Sequence, residues 1–183
     1  STKLFLSVEA EMSTSRSYYD FEVLVNGVSI GSMNNHDDKP YPLGRPKFCY
    51  SLGENSKQFA LGSGEKLVEV YFPWSVCPFV KAVELDDGST LTPVKRPKTL
   101  LVYGDSITQG YDSTKLSCHY TAQIARMLDA DIVSKAIGGE IFAGGLTALP
   151  DDISPDYITV AYGTNDWSKT ARDSSRQNAR EFY

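Results

Sequence analysis

Apolar positions change their rhythm near residue 95. Before it they come in short runs, many alternating with polar residues and separated by glycine-bearing turns. "FEVLVNGVSIG" (21–31) sets Asn26-Gly27 between β-rich flanks, the pairing that favours a two-residue hairpin turn. "KLVEVYF" (66–72) alternates as a half-buried strand does, and "FVKAVEL" (79–85) does so more loosely. Gly53, "GSGE" (62–65) and Asp87-Gly88 punctuate the other runs, and no segment here has a helical period. The pattern predicts an all-β sandwich or jelly roll over residues 1–95.

"PVKRPK" (93–98) reads as a linker, its cations a solvated boundary. Beyond it "TLLVY" (99–103) is a continuous apolar run, as in a strand buried on both faces. "SCHYTAQIARMLDA" (117–130) follows, with Tyr120, Ile124 and Met127/Leu128 at helical spacing. "DIVSKAI" (131–137) and "DYITVAY" (156–162) are two more strands, with "IFAGGLTAL" (141–149) partly helical between them. "DSSRQNAREFY" (173–183) begins another helix. Alternating strands and helices predict a parallel α/β sheet over residues 98–183.

Composition narrows the function. The 183 residues are 41% hydrophobic and carry a net charge of −5, so no broad basic surface is present for nucleic acid. No run approaches the ~18 apolar residues of a membrane helix, and no signal peptide is visible. Cys49, Cys77 and Cys118 match no zinc or redox spacing. They read as small buried hydrophobes in a reducing, cytoplasmic setting, with secretion the alternative if a signal peptide has been removed.

Each of the three α/β strands runs into a polar turn: Gly104-Asp105-Ser106, Gly138-Gly139-Glu140 and Gly163-Thr164-Asn165-Asp166. In an open parallel sheet, ligands bind beyond the carboxyl ends of the strands, so these turns are expected to converge. Taken singly, Ser106 fits a helix N-cap as well as a nucleophile. Gly138-Gly139 fits a positive-φ turn, and Asn165-Asp166 fits turn and cap chemistry. Taken together they fit an ester-cleaving site: a serine hydroxyl, with the N–H groups of Ser106 and Gly139 and the Asn165 amide aimed at an oxyanion. "GDSITQG" lacks the lysine of a phosphate-binding loop, and Gly110 lies four residues past Ser106, which excludes the G-x-S-x-G elbow.

"GDSITQG", "AIGGEIFAGG" and "YGTND" resemble, in order, the first three sequence blocks of the SGNH, or GDSL-type, esterases and acylhydrolases. The resemblance covers roughly residues 98–170. It implies a flavodoxin-like three-layer domain with Ser106 as nucleophile. Gly139 and Asn165 would complete the oxyanion hole, Asp105 and Asp166 would brace the turns, and no metal or organic cofactor is implied. A β-rich domain ahead of an SGNH domain is similar to bacterial carbohydrate esterases that remove acetyl groups from glycans. The expected substrate is thus a small-molecule or carbohydrate ester. The alternatives are a lipase- or thioesterase-type acylhydrolase, or a carbohydrate-binding module joined to an inactive remnant. "YFPW" (71–74) is read as core or interface packing ahead of a sugar platform.

The family's base, the histidine of a D-x-x-H, has no match in this sequence. His36, in "MNNHDD", reads as a surface histidine; Asp37 and Asp38 beside it are too little for a metal site. His119 reads as a helix-face residue. The general base is therefore unassigned. The expectation is that residues 98–183 are the first part of a longer hydrolase domain with three of about five strands. Its edge would be covered by the remaining part or by a swapped second copy. The 183-residue chain is expected to be nearly inactive.

Overall fold

A computed structural model describes residues 1–37, 40–41, 45–113, 115–148 and 152–183, with backbone alone at 40–41 and 45–46. The chain forms two compact units, Ser1–Pro93 with Asp112–Cys118, and Val94–Tyr111 with His119–Tyr183.

In the first unit, β1 (Lys3–Met12) sits between β6 (Gly53–Ala60) and β8 (Val76–Leu85), antiparallel to both. A second sheet places β2 (Asp20–Val25) between β3 (Val28–Asn34) and β7 (Val68–Tyr71), again antiparallel. β4 (Pro40–Tyr41) and β5 (Arg45–Pro46) pair as a short ribbon. Strict alternation along β1 buries Leu4, Leu6, Val8 and Ala10, and the same period buries Phe21 and Val23 of β2. Both sets join Met33, Phe59 and Val76 in one core, so the two sheets pack as a sandwich. Each large apolar side chain so buried contributes about 1.5–3 kcal/mol. Among the described residues each sheet has three strands.

The hairpin expected at Asn26-Gly27 joins β2 to β3. Both residues have positive φ, 50° and 78°, as a type I′ turn requires. β6, "GENSKQFA", buries only Phe59; its polar residues suit a sheet edge and hid the strand from an apolar-pattern reading. The three cysteines are exposed, not buried as expected. Cys77, for one, alternates with the buried Val76 and so lies on the outward face of β8.

Asp112–Cys118, read from sequence as part of the α/β half, groups with the first unit. Arg16 reaches Asp112 through two N–H groups (3.1 and 3.2 Å), and Tyr18 donates to the same carboxylate. A 3-10 turn at Leu116–Cys118 then brings the Ser117 N–H 2.8 Å from Glu22 Oε2.

The second unit centres on β9 (Lys98–Gly104), with β10 (Ala130–Ser134) and β11 (Tyr157–Ala161) parallel to it on either side. The order β10-β9-β11 is second-first-third, as in flavodoxin-like sheets. Leu100 and Val102 pack with Ala125, Ile124 and Leu128 of α2 (Tyr120–Leu128). Leu101 and Tyr103 pack with Phe182 of α4 (Arg172–Phe182). Helices thus cover both faces of β9, which is why its sequence is continuously apolar. Met127, read as part of the buried stripe, is 85% exposed; the stripe runs through Ile124 and Leu128. The partly helical reading of 141–149 reduces to a 3-10 turn at Gly144–Leu146, and Leu149 lies outside the described residues. Among the described residues no helix is long and apolar enough to cross a membrane.

Candidate active site

β9 ends at Gly104, where only glycine fits. A Cβ there would lie 2.0 Å from Thr108 Oγ1 and 2.9 Å from the Ala161 carbonyl oxygen. Asp105, buried, then caps α1 (Ser106–Gln109) by accepting the Ile107 N–H at 2.9 Å. The cap is therefore Asp105 and not Ser106, whose hydroxyl is left unspent at the first helical position. Among the described residues that hydroxyl has no hydrogen-bond partner.

Gly110 closes α1 with φ 101° and a backbone bond to the Ser106 carbonyl. A Cβ on it would lie 1.7 Å from His119 Cε1, so the imidazole occupies the space a side chain would need. Replacing Gly110 by alanine should destabilise the protein by about 2 kcal/mol or more, from left-handed backbone strain plus overpacking. Denaturant unfolding measures the loss.

The second turn stays beside the first. Past β10, the Lys135 N–H donates to Val102 and the Ile137 N–H to Gly104, at 2.9 and 3.0 Å. Gly139 has φ 86°, and the Glu140 N–H closes the turn onto Ile137. A Cβ on Gly139 would meet only Lys169 Nζ, at 3.4 Å, so glycine is needed here for conformation more than for space.

The third turn is a helix start. Gly163, with φ 126°, opens α3 (Thr164–Lys169), which the sequence reading took for a turn. Three α3 side chains grip the second turn. Asn165 Nδ2 donates to the Glu140 carbonyl at 2.9 Å. The buried Asp166 carboxylate accepts the Phe142 N–H at 3.2 and 3.4 Å. Lys169 Nζ donates to the Gly139 carbonyl at 2.8 Å. Backbone register ties the third turn to the first, since Ala161 pairs with Gly104. Tyr162 feels all three turns. Its phenol is pushed up to about 12, by burial first and then by the Glu140 charge, with a smaller push from Asp105 and the Gly104 backbone opposing.

The structure thus brings Ser106, Gly139 and Asn165 to the carboxyl ends of three adjoining strands, where Asp105 accepts the Ile107 N–H and Asp166 the Phe142 N–H. Tyr162 and Lys169 were missed. The one available signal was the spacing of Lys169, four residues after Asn165 on a helix the sequence reading did not assign.

Neither histidine joins this group. His119 precedes α2 and packs on Gly110. His36 belongs to the first unit and is no surface residue: its side chain is 12% exposed. It donates from Nδ1 to the Asp37 carbonyl (2.7 Å) and meets Asp20 Oδ2 through Nε2 (2.8 Å). Burial, the largest influence, works against its charge. The hydrogen bonds to Asp20 and the Asp37 carbonyl, with both nearby negative charges, outweigh it and raise the pKa. Stabilisation from this pair is therefore full below the unfolded value of about 6.5 and fades as pH rises through the folded one. An NMR titration should place His36 above the ordinary histidine range, and Asp20→Asn should bring it down. Among the described residues no cluster could hold a metal ion; Asp38 lies outside them.

Residues 102–182 match the model of the GDSL-like lipase/acylhydrolase family. They form a GDSL-type domain. Comparison with curated protein sequences finds no match. Among solved structures, a salicylyl-acyltransferase from a tetracycline biosynthetic pathway is similar over 100% of this chain and 51% of its own, at 23% identity and TM-score 0.73. A family two carbohydrate esterase from Clostridium thermocellum is similar over 99% and 63%, at 16% identity and TM-score 0.68. An acetyl xylan esterase from Butyrivibrio proteoclasticus is similar over 99% and 64%, at 18% identity and TM-score 0.66. The chain spans between half and two thirds of these proteins' lengths. At such identities the likeness is one of fold, and it takes in the first unit as well as the GDSL-type domain.

Proposed function

We propose that the protein is a serine esterase that removes small acyl groups, acetyl foremost, from carbohydrate esters. The observation that carries this reading is the triple grip of α3 on the Gly139–Phe142 turn, beside the turn that holds a Ser106 hydroxyl free of capping duty. In this reading Ser106 Oγ attacks the ester carbonyl. The Ser106 and Gly139 N–H groups and Asn165 Nδ2 hold the oxyanion. One Nδ2 hydrogen is committed to Glu140, which leaves the other for substrate. Collapse expels the sugar hydroxyl and leaves an acyl-serine, and water then releases the acid. The carbohydrate assignment takes support from the fold shared with carbohydrate esterases, including a first unit proposed here to be of jelly-roll type. Neither His36 nor His119 is assigned the base: His36 is held by Asp20, and His119 packs against Gly110.

Covalent labelling of the full-length protein by a fluorophosphonate tests the reading. Adduct on Ser106, lost in Ser106→Ala, is the expected result; no adduct would favour a carbohydrate-binding protein with an inactive GDSL-type domain. Acetylated oligosaccharides compared with long-chain esters as substrates separate a deacetylase from a lipase or thioesterase.

A further inference from the structure

Lys169 ends α3, one turn beyond Asn165 and on the same helix face. A lysine at a helix C-terminus ordinarily serves the exposed carbonyls there. This one reaches across 30 residues of sequence instead, and its one hydrogen bond among the described residues goes to the Gly139 carbonyl. The target matters because Gly139 holds φ 86° without a Cβ to restrict it. Such a residue rotates easily, and its rotation swings the peptide on either side. The Asn165 and Asp166 grips act farther along, at the Glu140 carbonyl and the Phe142 N–H. Among the described residues only the lysine side chain grips Gly139 itself.

We propose that Lys169 is a positioning residue for acyl transfer, fixing the Gly139 turn so that its N–H stays directed at the reacting carbonyl oxygen. This rests on the serine-esterase reading. Two properties of the ammonium contribute. It makes a charge-assisted hydrogen bond, stronger than a neutral one. Its positive charge also sits on the Gly139 turn, to which the serine-esterase reading assigns an oxyanion donor, an attraction for developing negative charge that salt weakens. Arginine keeps the charge and the donors; glutamine keeps a donor alone; methionine keeps neither. The side chain is exposed, so the substitutions leave the core untouched.

The test uses the full-length protein and 4-nitrophenyl acetate. Lys169→Met should lower kcat about tenfold with KM within about twofold, the mark of an interaction made in the transition state. The rate of fluorophosphonate labelling at Ser106 should fall in parallel. Lys169→Arg should recover at least half of the wild-type rate, with Lys169→Gln between the two. Thermal midpoints should stay within a few degrees of wild type. If Lys169→Met unfolds, Lys169→Gln against Lys169→Arg carries the same comparison. Wild-type kcat and labelling in the uncharged variants, or a loss that arginine does not repair, would overturn the role of Lys169 while a dead Ser106→Ala left the esterase reading standing. Turnover that survives Ser106→Ala would overturn both.

Discussion

Ser106→Ala in the full-length protein should reduce hydrolysis of an activated acetyl ester by about 10⁴-fold or more, with the fold intact. Oxyanion stabilisation and binding alone leave about 10³–10⁴ over water in enzymes stripped of a catalytic group, so a small residue of activity is expected. Little structural cost is expected, because Asp105 rather than Ser106 caps α1 and the serine hydroxyl holds nothing else among the described residues. Unchanged circular dichroism with lost turnover would separate chemistry from folding. Activity within tenfold of wild type would remove Ser106 from the reaction.

The second large effect is expected at Asn165. Alanine there removes one proposed oxyanion donor, and losses of that kind cost about 10²–10³ in kcat, or roughly 3–4 kcal/mol of barrier. It also removes the bond to the Glu140 carbonyl, which adds a contribution from the loosened turn. Steady-state kinetics on the same ester should show the change in kcat with KM moving little. A loss below about fivefold would place the oxyanion elsewhere.

The readability of this molecule from its sequence follows the range of the interactions involved. β9 stood out because burial on both faces demands an unbroken apolar run, and Asn26-Gly27 because a type I′ turn is specified by two residues. The three polar turns were visible because each comes at the end of an apolar run in the sequence. Interactions formed across the fold left weaker traces. β6 is held by pairing with β1 and buries one large side chain, so its sequence hardly differs from a loop. Asp20 lies sixteen residues before His36, and nothing local announces their pairing. The bond from Lys169 to Gly139 exists only because α3 begins where the sequence suggested a bend.

The return of Asp112–Cys118 to the first unit constrains how the protein can be dissected. A fragment ending near residue 95 would be the natural choice for asking whether the β-rich half binds glycans by itself. That cut discards the amide that donates to Oε2 of Glu22, a residue 1% exposed, and strands the Arg16 guanidinium and Tyr18 phenol without their common acceptor. Failure of such a fragment to bind would then report an uncompensated buried charge rather than an absent binding surface. A faithful excision must graft the seven-residue loop back or neutralise Glu22.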